Sequence, residues 1–335
     1  MTNLMFFIAA IASGMISTWL ARQFALSFNI VNNPTGLVPQ HVKPVAYLGG
    51  VGIYLGILIV SLIIYLPING LPIVFLGLSF GYLILGVIDD LTIFSPLTKF
   101  VFQIGLAAIS VLLGVYFSFT GVVVLDMIIS AFWIIVLVNA YNLTDVCDGL
   151  VGGLSVVAGL MIFFHVRDVG MLPMIVAGST IGFLVFNAPP ASIFMGDAGS
   201  HLLGFIFAYF SLTLPSGGHI FYDFLPLALV SGVVLFELVF LIFVRTKKGL
   251  KWWKGSMDHF ALRLQATGKS KWTTDIIAWI LGVFCCIPLV LKVLGITSYY
   301  YWISILLIFG VLLAFGLYLL RIDIYQNSPS TSPKQ

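Results

Sequence analysis

The sequence predicts an all-α integral membrane protein that crosses the bilayer many times, and three observations carry this prediction. Only 8% of the 335 residues are charged, whereas an ordinary soluble domain carries roughly 25%. Hydrophobic residues make up 61% of the chain, and the mean hydropathy is +1.14. The apolar runs are continuous and lack the alternation of barrel strands. Soluble, disordered and disulfide-rich secreted classes are therefore excluded.

Eleven apolar runs are long enough to be spans, because a helix needs about 20 apolar residues to cross the hydrocarbon core. Charges or clusters of Pro, Gly and Asn separate the runs. The uncharged run 44–88 is divided in two by the turn signal at 67–72. The predicted spans are 3–21, 47–66, 71–88, 98–117, 121–140, 150–165, 171–187, 198–214, 224–244, 275–294 and 298–320.

Eleven spans leave no room for a sizeable soluble domain. We expect a single transmembrane domain over residues 1–325 and a disordered cytoplasmic tail over 326–335. The loops alternate between two sides, and 13 of the 15 Lys and Arg residues fall on one of them. By the positive-inside rule that side is cytoplasmic, which places the N-terminus outside and the C-terminus inside. The expected cytoplasmic loops are 22–46, 89–97, 141–149, 188–197 and 245–274.

Five acidic residues lie on the predicted cytoplasmic side, at or near the ends of spans: Asp89, Asp90, Asp145, Asp148 and Asp197. Capping of helix N-termini would account for Asp148 and Asp197. It does not account for the adjacent pair Asp89-Asp90, because the helix dipole opposes negative charge at a C-terminus. Convergent carboxylates favour a hard cation such as Mg²⁺, which prefers oxygen ligands and bridges to substrate phosphates.

Basic side chains lie on the same predicted side. Lys43 is in the first loop, and Lys99 begins the fourth span, nine residues after the acid pair. The loop 245–274 holds eight Lys and Arg residues, and contact with anionic lipid accounts for part of this charge. His259 and Arg263 are four residues apart and so lie on one helix face. For these two we favour phosphate binding.

Four motifs, in order along the chain, resemble those of the polyprenyl-phosphate N-acetylhexosamine-1-phosphate transferases. The family's first cytoplasmic loop is matched by HVKPVAYLGG (41–50), and its acid-pair motif by LGVIDDLTIFSPLTKFVFQ (85–103). Its Asn-Leu-x-Asp-Gly-x-Asp-Gly-Leu motif is similar to VNAYNLTDVCDGLVGGLS (138–155). Its Phe-Met-Gly-Asp-x-Gly-Ser motif is matched very closely by NAPPASIFMGDAGSHLLG (187–204).

The resemblance implies a reaction at the inner face of the plasma (inner) membrane. A polyprenyl phosphate, undecaprenyl phosphate in bacteria, attacks the β-phosphorus of a UDP-N-acetylhexosamine; UMP leaves and a polyprenyl-diphospho-sugar remains in the membrane. The implied cofactor is Mg²⁺, with Mn²⁺ as an alternative. The expected partners are the two substrates and membrane lipid, and a homodimer is left open. The net charge of +3 is too small to indicate a nucleic-acid partner.

Roles carry over by matched position. Asp197 is expected to bind the metal together with Asn142. Asp89 and Asp90 are expected to orient or deprotonate the lipid phosphate, or one of them to form a covalent phospho-enzyme. Lys99 is expected to hold a phosphate.

The uridine site is expected to be lined by Asp145, Asn187 and Phe194, with Asp148 close by as a catalytic group. The residues expected to close over the diphosphate or the sugar are Lys43, His259 and Arg263.

Two departures from the family pattern concern the donor sugar. Val146 stands where the family usually has glycine, and if that glycine lets the backbone approach the uracil, the base site must be reshaped. The last large loop carries one histidine, His259, where many relatives have several. The branch that makes the peptidoglycan lipid I is therefore not expected. An initiator of O-antigen, teichoic acid or another surface glycan is favoured, with GlcNAc, GalNAc or a deoxy-aminosugar left open.

Two other functions remain as alternatives. An ion-coupled transporter would place ionisable groups near the midplane, and Glu237, deep in an apolar run, is the best sign of one. We interpret Glu237 instead as a buried hydrogen-bonded group or a lipid-headgroup contact. A catalytically inactive family member would be expected to lose some of the five acids, and this sequence keeps them all. His201, one turn after Asp197, either orients that carboxylate or is a packed polar residue.

Overall fold

The computed structural model describes residues 2–33, 44–92, 94–166, 170–214, 219–251, 253, 255–296, 299–322 and 324. Its α-helices are α1 (Thr2–Ser27), α2 (Gly49–Tyr65), α3 (Ile73–Thr92), α4 (Pro96–Leu112), α5 (Val123–Thr144), α6 (Leu150–Val166), α7 (Leu172–Asn187), α8 (Gly196–Thr213), α9 (Leu225–Leu229), α10 (Gly232–Lys247), α11 (Phe260–Ala266), α12 (Lys271–Cys285), α13 (Ile287–Val293) and α14 (Tyr299–Leu320).

All eleven runs predicted as spans are mainly helical where the structure describes them, which confirms the all-α prediction. Among the described residues, six helices are long and apolar enough to cross a membrane, or seven if one bent pair counts as a single span. Three further apolar helices, α4, α6 and α7, have 16 or 17 residues. The chain is a multi-pass, all-α membrane protein. The span count of eleven and the orientation of the termini stay predictions.

The structure divides the span predicted over 224–244. A π-helical turn at Ile220–Phe224 leads into α9, and α10 follows after a bend of 80°. Sharp bends occur at Pro and at Gly/Ser pairs, and here Ser231-Gly232 lies at the bend while Pro226 lies in the first turn of α9. Hydropathy alone predicts one continuous span over 224–244, because it contains no information about a bend in the backbone.

Helix α8 forms the centre of the molecule. Fifteen of its 18 residues are buried, and α2, α3 and α5 pack against it. On α14, by contrast, seven of 22 residues are buried, and outward leucines such as Leu306 are largely exposed. Apolar side chains on such an outer face are suited to lipid contact.

Glycines allow the helices to approach α8 closely. A Cβ atom on Gly50 of α2 would collide with the backbone of Gly199, and one on Gly86 of α3 with the backbone of Asp197. Small residues at helix interfaces allow such close approach in membranes. The first turn of α8, which carries Asp197, is thereby held between two neighbouring helices.

A short antiparallel ladder orders the chain before α2. Strand β1 (Val31–Asn32) pairs with β2 (Val45–Ala46), with Val31 opposite Ala46. Ala46 also forms a parallel bridge with Ile193. The residues after β2 therefore lie directly against the segment that leads into α8.

Candidate active site

Lys99 is at the centre of a cluster built by four helices. Its Nζ atom lies 2.8 Å from Asp89 Oδ2, 2.5 Å from Asp197 Oδ2 and 3.2 Å from Asn142 Oδ1. Asn142 Nδ2 donates to the other carboxylate oxygen of Asp197, at 2.7 Å. Helices α3, α4, α5 and α8 thus each contribute one polar side chain. Four of the residues predicted for the site are brought together here.

Asp90 has a role that the sequence analysis did not predict. Its two carboxylate oxygens accept the backbone N–H groups of Asp197, at 2.9 Å, and Ala198, at 3.1 Å. These N–H groups are at the start of α8, where a helix has no internal acceptors for its amides. Gly196 has a φ of +72°, and a Cβ there would collide with the Asp90 carboxylate. Asp90 therefore anchors the helix turn that carries Asp197.

Asp89 has its two oxygens divided between two partners. Oδ1 accepts the backbone N–H of Phe94 at 2.8 Å, and Oδ2 faces Lys99. Both acids of the pair lie inside the last turns of α3, which continues to Thr92. The hydrogen bond to Phe94 holds the α3–α4 connection against the end of α3. The ion pair with Lys99 joins the end of α3 to the cluster.

Tyr47 also lies beside the acids, and the sequence analysis missed it. Its hydroxyl accepts a hydrogen bond from Asn32 Nδ2 at 3.0 Å, and its ring meets Phe194 edge-on. Burial, followed by the negative charge of Asp90, raises the pKa of Tyr47 above its ordinary value. Tyr47 belongs to the motif 41–50, but the sequence analysis assigned it no chemical role. Lys43, also in that motif, lies outside the described residues.

The predicted uridine-side residues gather around the 145–149 loop. Asp148 Oδ2 accepts Lys271 Nζ at 2.9 Å and the backbone N–H of Ala191 at 3.2 Å. The amide of Asn187 binds Gly149 N and Ile193 O, each at 2.9 Å. These bonds join the loop after α5 to the Phe-Met-Gly-Asp segment. The sequence analysis did not predict Lys271 as the partner of Asp148.

Asp145 differs from its neighbours, because no hydrogen bond or ion pair joins its carboxyl group to any described residue. Burial, together with the negative charges of Asp197, Asp90 and Asp148, raises the pKa of Asp145 well above its ordinary value. A carboxyl group in this position is stabilised by an incoming cation or hydrogen-bond donor. Asp145 is thus suited to contact a ligand.

His259 and Arg263 are engaged elsewhere, with groups of the protein. His259 Nδ1 lies 2.8 Å from Glu237 Oε1. Arg263 binds the Asp258 carboxylate at 2.7 Å and two backbone carbonyls at the end of α14. Within the described chain, neither residue has a hydrogen bond or ion pair to the acid cluster. The structure does not bring them together with the cluster, and their contact with a diphosphate stays a prediction.

Glu237 is fully buried, and its two oxygens accept His259 Nδ1 and the backbone N–H of Phe260. The interpretation as a buried hydrogen-bonded group is confirmed.

A buried polar chain lies beneath Asp197. Asn139 Nδ2 donates to Gln103 Oε1 at 2.8 Å, and Gln103 Nε2 lies 3.1 Å from His201 Nε2. His201 Nδ1 bonds the backbone carbonyl of Asp197. Because Gln103 Nε2 can only donate, we assign the proton of His201 to Nδ1. Of the two interpretations of His201, that of a packed polar residue is confirmed, because the side chain is buried and bonds the backbone carbonyl of Asp197 rather than its carboxylate.

The donor set of the cluster fits a hard cation. Asp89, Asp197 and Asn142 each direct an oxygen atom at Lys99 Nζ, which occupies the point where they converge. Oxygen is the ligand type that Mg²⁺ prefers. Asp197 is 32% exposed and so can be reached from solvent. Among the described residues no group of three or more His, Cys, Asp or Glu could hold a metal ion. A Mg²⁺ ion bound here would need further ligands, such as water or substrate phosphate oxygens.

Fold and site together define a multi-pass membrane protein with an acid–lysine cluster at one end of its helices. The family model for glycosyl transferase family 4 matches residues 72–215, a range that contains the motifs at 85–103, 138–155 and 187–204.

Curated relatives agree with this family model. A "Probable undecaprenyl-phosphate N-acetylglucosaminyl 1-phosphate transferase" of Bacillus subtilis is 29% identical, over 90% of this chain and 87% of the relative. A "Phospho-N-acetylmuramoyl-pentapeptide-transferase" of Staphylococcus carnosus is 31% identical, over 70% and 81%. A "Decaprenyl-phosphate N-acetylglucosaminephosphotransferase" of Mycobacterium tuberculosis is 32% identical, over 69% and 68%. The chain belongs to glycosyl transferase family 4, that of the polyprenyl-phosphate hexosamine-1-phosphate transferases, and is a membrane transferase of this class.

Proposed function

We propose that the protein transfers an N-acetylhexosamine 1-phosphate from a UDP-sugar to a polyprenyl phosphate, undecaprenyl phosphate in bacteria. UMP is released, and the polyprenyl-diphospho-sugar begins a cell-surface glycan such as O-antigen. The printed names of the Bacillus and Mycobacterium relatives support an N-acetylglucosaminyl donor and a polyprenyl acceptor. The Staphylococcus relative is named for a muramoyl-pentapeptide, so the donor sugar must be measured.

The observation that carries the proposal is the convergence of Asp89, Lys99, Asn142 and Asp197 from four helices onto one point. Phosphoryl transfer depends mainly on positioning and on neutralising charge. A cluster at helix ends is also where a water-soluble nucleotide and a lipid phosphate can meet.

In this reaction an oxygen of the lipid phosphate attacks the β-phosphorus of the UDP-sugar. The bond from that phosphorus to the oxygen bridging the two phosphates breaks, and UMP leaves with that oxygen. Lys99 is the cationic group that binds phosphate oxygens in this proposal. Asp145 accepts a hydrogen bond from a donor group of the nucleotide. A bound Mg²⁺ supplies positive charge to the phosphates, and Asp197 and Asn142 are the residues proposed to hold it.

Direct attack by the lipid phosphate is favoured over a covalent phospho-enzyme. A covalent route needs a free carboxylate oxygen, yet Asp90 uses both of its oxygens on the start of α8. Asp89 has one oxygen on Phe94 N and the other on Lys99. Under this proposal Asp90 is a positioning residue, and Asp89 helps to place Lys99.

We propose that this site faces the cytoplasm. The positive-inside charge split supports that orientation. The ion pair of Asp148 with Lys271, and the bond from Gln265 to Cys147, bring the Lys- and Arg-rich 245–274 segment beside the acidic loop. The acids and the basic loop therefore lie at the same end of the helices.

The experiment is a transfer assay with purified protein, undecaprenyl phosphate and a panel of UDP-N-acetylhexosamines, with and without Mg²⁺. Equal amounts of UMP and lipid-linked sugar are expected with at least one donor, and only with the metal. Absence of lipid-linked product with every donor, while the protein is folded, contradicts the proposal.

A further inference from the structure

A second basic site lies between the ends of α10 and α14, formed by residues other than those of the acid–lysine cluster. A cavity of about 470 Å³ opens there. Its cationic lining consists of Lys247, Lys248, Arg263 and Arg321, and aliphatic side chains such as Leu320 form the rest of its wall. Because α10 and α14 are both apolar helices suited to a membrane, their ends place the cavity at the membrane boundary.

The inner wall of this cavity is held rigidly by Asp258. This residue is fully buried, and its Oδ1 atom lies 2.6 Å from Lys248 Nζ and 2.7 Å from Arg263 Nη2. Burial opposes ionisation, but the hydrogen bond and charge of Lys248 and the charge of Arg263 outweigh it, so the pKa of Asp258 lies below its ordinary value. Two of the four cations are therefore fixed in place before any ligand binds.

The charge of the wall is not balanced within the described chain. Asp258 pairs with Lys248 and Arg263, the two cations that lie on the inner wall. The side chains of Lys247 and Arg321 have no ion pair or hydrogen bond with any described residue.

Cations do stabilise helix C-termini, and Arg263 already serves α14 through the carbonyls of Leu319 and Ile322. Because Arg263 stabilises the C-terminus of α14, that role does not account for the further positive charges of Lys247 and Arg321.

We propose that this cavity binds the phosphodiester headgroup of an anionic phospholipid, with the start of an acyl chain against its aliphatic wall. A ligand that fits must carry negative charge at one end and hydrocarbon at the other. Arg and Lys together form good phosphate sites, and basic clusters next to a membrane attract anionic lipid. The cavity shares Arg263 with the residues expected to close over the diphosphate, so the test changes only Lys247 and Arg321, which have no place in the proposed transferase site.

The test is native mass spectrometry of the full-length protein in detergent, titrated with phosphatidylglycerol or with phosphatidylcholine of the same acyl chains. We expect wild type to bind one phosphatidylglycerol in preference to phosphatidylcholine. The double variant Lys247→Gln/Arg321→Gln should bind phosphatidylglycerol about thirty-fold more weakly, since each cation near the surface contributes about 1 kcal/mol. Its phosphatidylcholine binding should not change.

The matched control is Lys251→Gln/Lys269→Gln, which removes the same number of positive charges from the 245–274 segment, at residues that do not line the cavity. It should keep wild-type binding. Equal losses in the two double variants, or no lipid preference in wild type, would overturn the proposal. Inorganic phosphate is added in a separate arm: if it displaces phosphatidylglycerol completely, the site recognises a free anion and the lipid assignment fails.

Discussion

Lys99 and Asp145 show, at the scale of single residues, two opposite ways of placing charge in one site. Lys99 neutralises the carboxylates of Asp89 and Asp197, which approach it from different helices. Asp145 has no such partner among the described residues, and burial, followed by the surrounding acids, raises its pKa. Lys99 thus stabilises the free protein, whereas Asp145 stores repulsion that a ligand can relieve. Strain of this kind is typical of functional positions.

Replacement of Asp145 by alanine separates the two effects. We expect Asp145→Ala to weaken the binding of UDP-sugar by about ten-fold or more, because one charged hydrogen bond is worth about 1.5–3 kcal/mol. The thermal stability of the variant should be equal to or above that of wild type, since like-charge repulsion is removed. Calorimetric titration and thermal unfolding of the same preparation measure the two quantities. A lower melting temperature with unchanged nucleotide affinity would show a structural role instead.

The residue types of the site could be predicted from sequence, but several of their contacts could not. The motif matches identified Asp89, Lys99, Asn142 and Asp197, which the structure does bring together. The bond from Asp90 to the start of α8 joins residues more than 100 positions apart, and no local pattern signals it. A helix-face argument assigned His259 to phosphate binding, which stays a prediction, and it did not indicate the contact with Glu237.

At the scale of elements, the start of α8 determines where Asp197 lies. Asp90 accepts the first free N–H groups of this helix, and His201 bonds the backbone carbonyl of Asp197. Glycines of α2 and α3 allow those helices to pack closely against it. Local sequence predicted that a helix begins here. It could not predict that three other elements fix the position of this helix start.

The variant Asp90→Asn tests the anchoring role. The amide group can accept only one of the two N–H groups, so the free energy of unfolding should fall by about 1–2 kcal/mol. Turnover should fall by about 100-fold, because small displacements of reacting groups are costly. UDP-sugar binding should remain close to wild type, as expected for a change felt mainly in the transition state.

The matched control is Asp126→Asn. Asp126 is buried, accepts the backbone N–H of Thr120 at 2.7 Å, and lies about 24 Å along α5 from Asn142. This control should lose similar stability while turnover stays unchanged. If Asp90→Asn loses nucleotide binding as severely as Asp145→Ala, the acids form one undivided site and the anchoring role must be abandoned.

Two glycines of α3 test the helix packing. A Cβ at Gly86 would meet the backbone of Asp197 and Ala198, whereas nothing lies within 4 Å of one at Gly77. Gly86→Ala should therefore cost about 1–3 kcal/mol of stability and most of the activity. Gly77→Ala should be neutral or stabilising by about 0.5–1 kcal/mol. Thermal unfolding and turnover of both variants check this, and equal behaviour would contradict the packing described for α8.

At the scale of the whole molecule, the apolar runs predicted the helices because burial in lipid demands continuous apolarity. The break between α9 and α10 was not predicted, since bending depends on how Ser231-Gly232 packs rather than on hydropathy. Polar groups converge at one end of the helices, and the charge bias predicts that this end is cytoplasmic.

Cysteine labelling in intact cells tests this orientation. Asn69→Cys, in the exposed turn after α2, should react with an impermeant reagent from outside. Lys251→Cys, in the exposed basic segment after α10, should react only after the cells are opened. The native cysteines are buried and give a low background. Labelling with the sides reversed would place the acids away from cytosolic nucleotide.

We propose that residues of four helices form one site for transfer of a sugar 1-phosphate, with Lys99 at its centre and Asp197 as a residue that holds the metal. The most direct measurement is the rate at which Asp197→Asn forms UMP and lipid-linked sugar at saturating Mg²⁺, beside wild type and Asp126→Asn. We predict a loss of at least about 100-fold in Asp197→Asn, with wild-type turnover in Asp126→Asn. Turnover of Asp197→Asn within a few-fold of wild type would contradict the account.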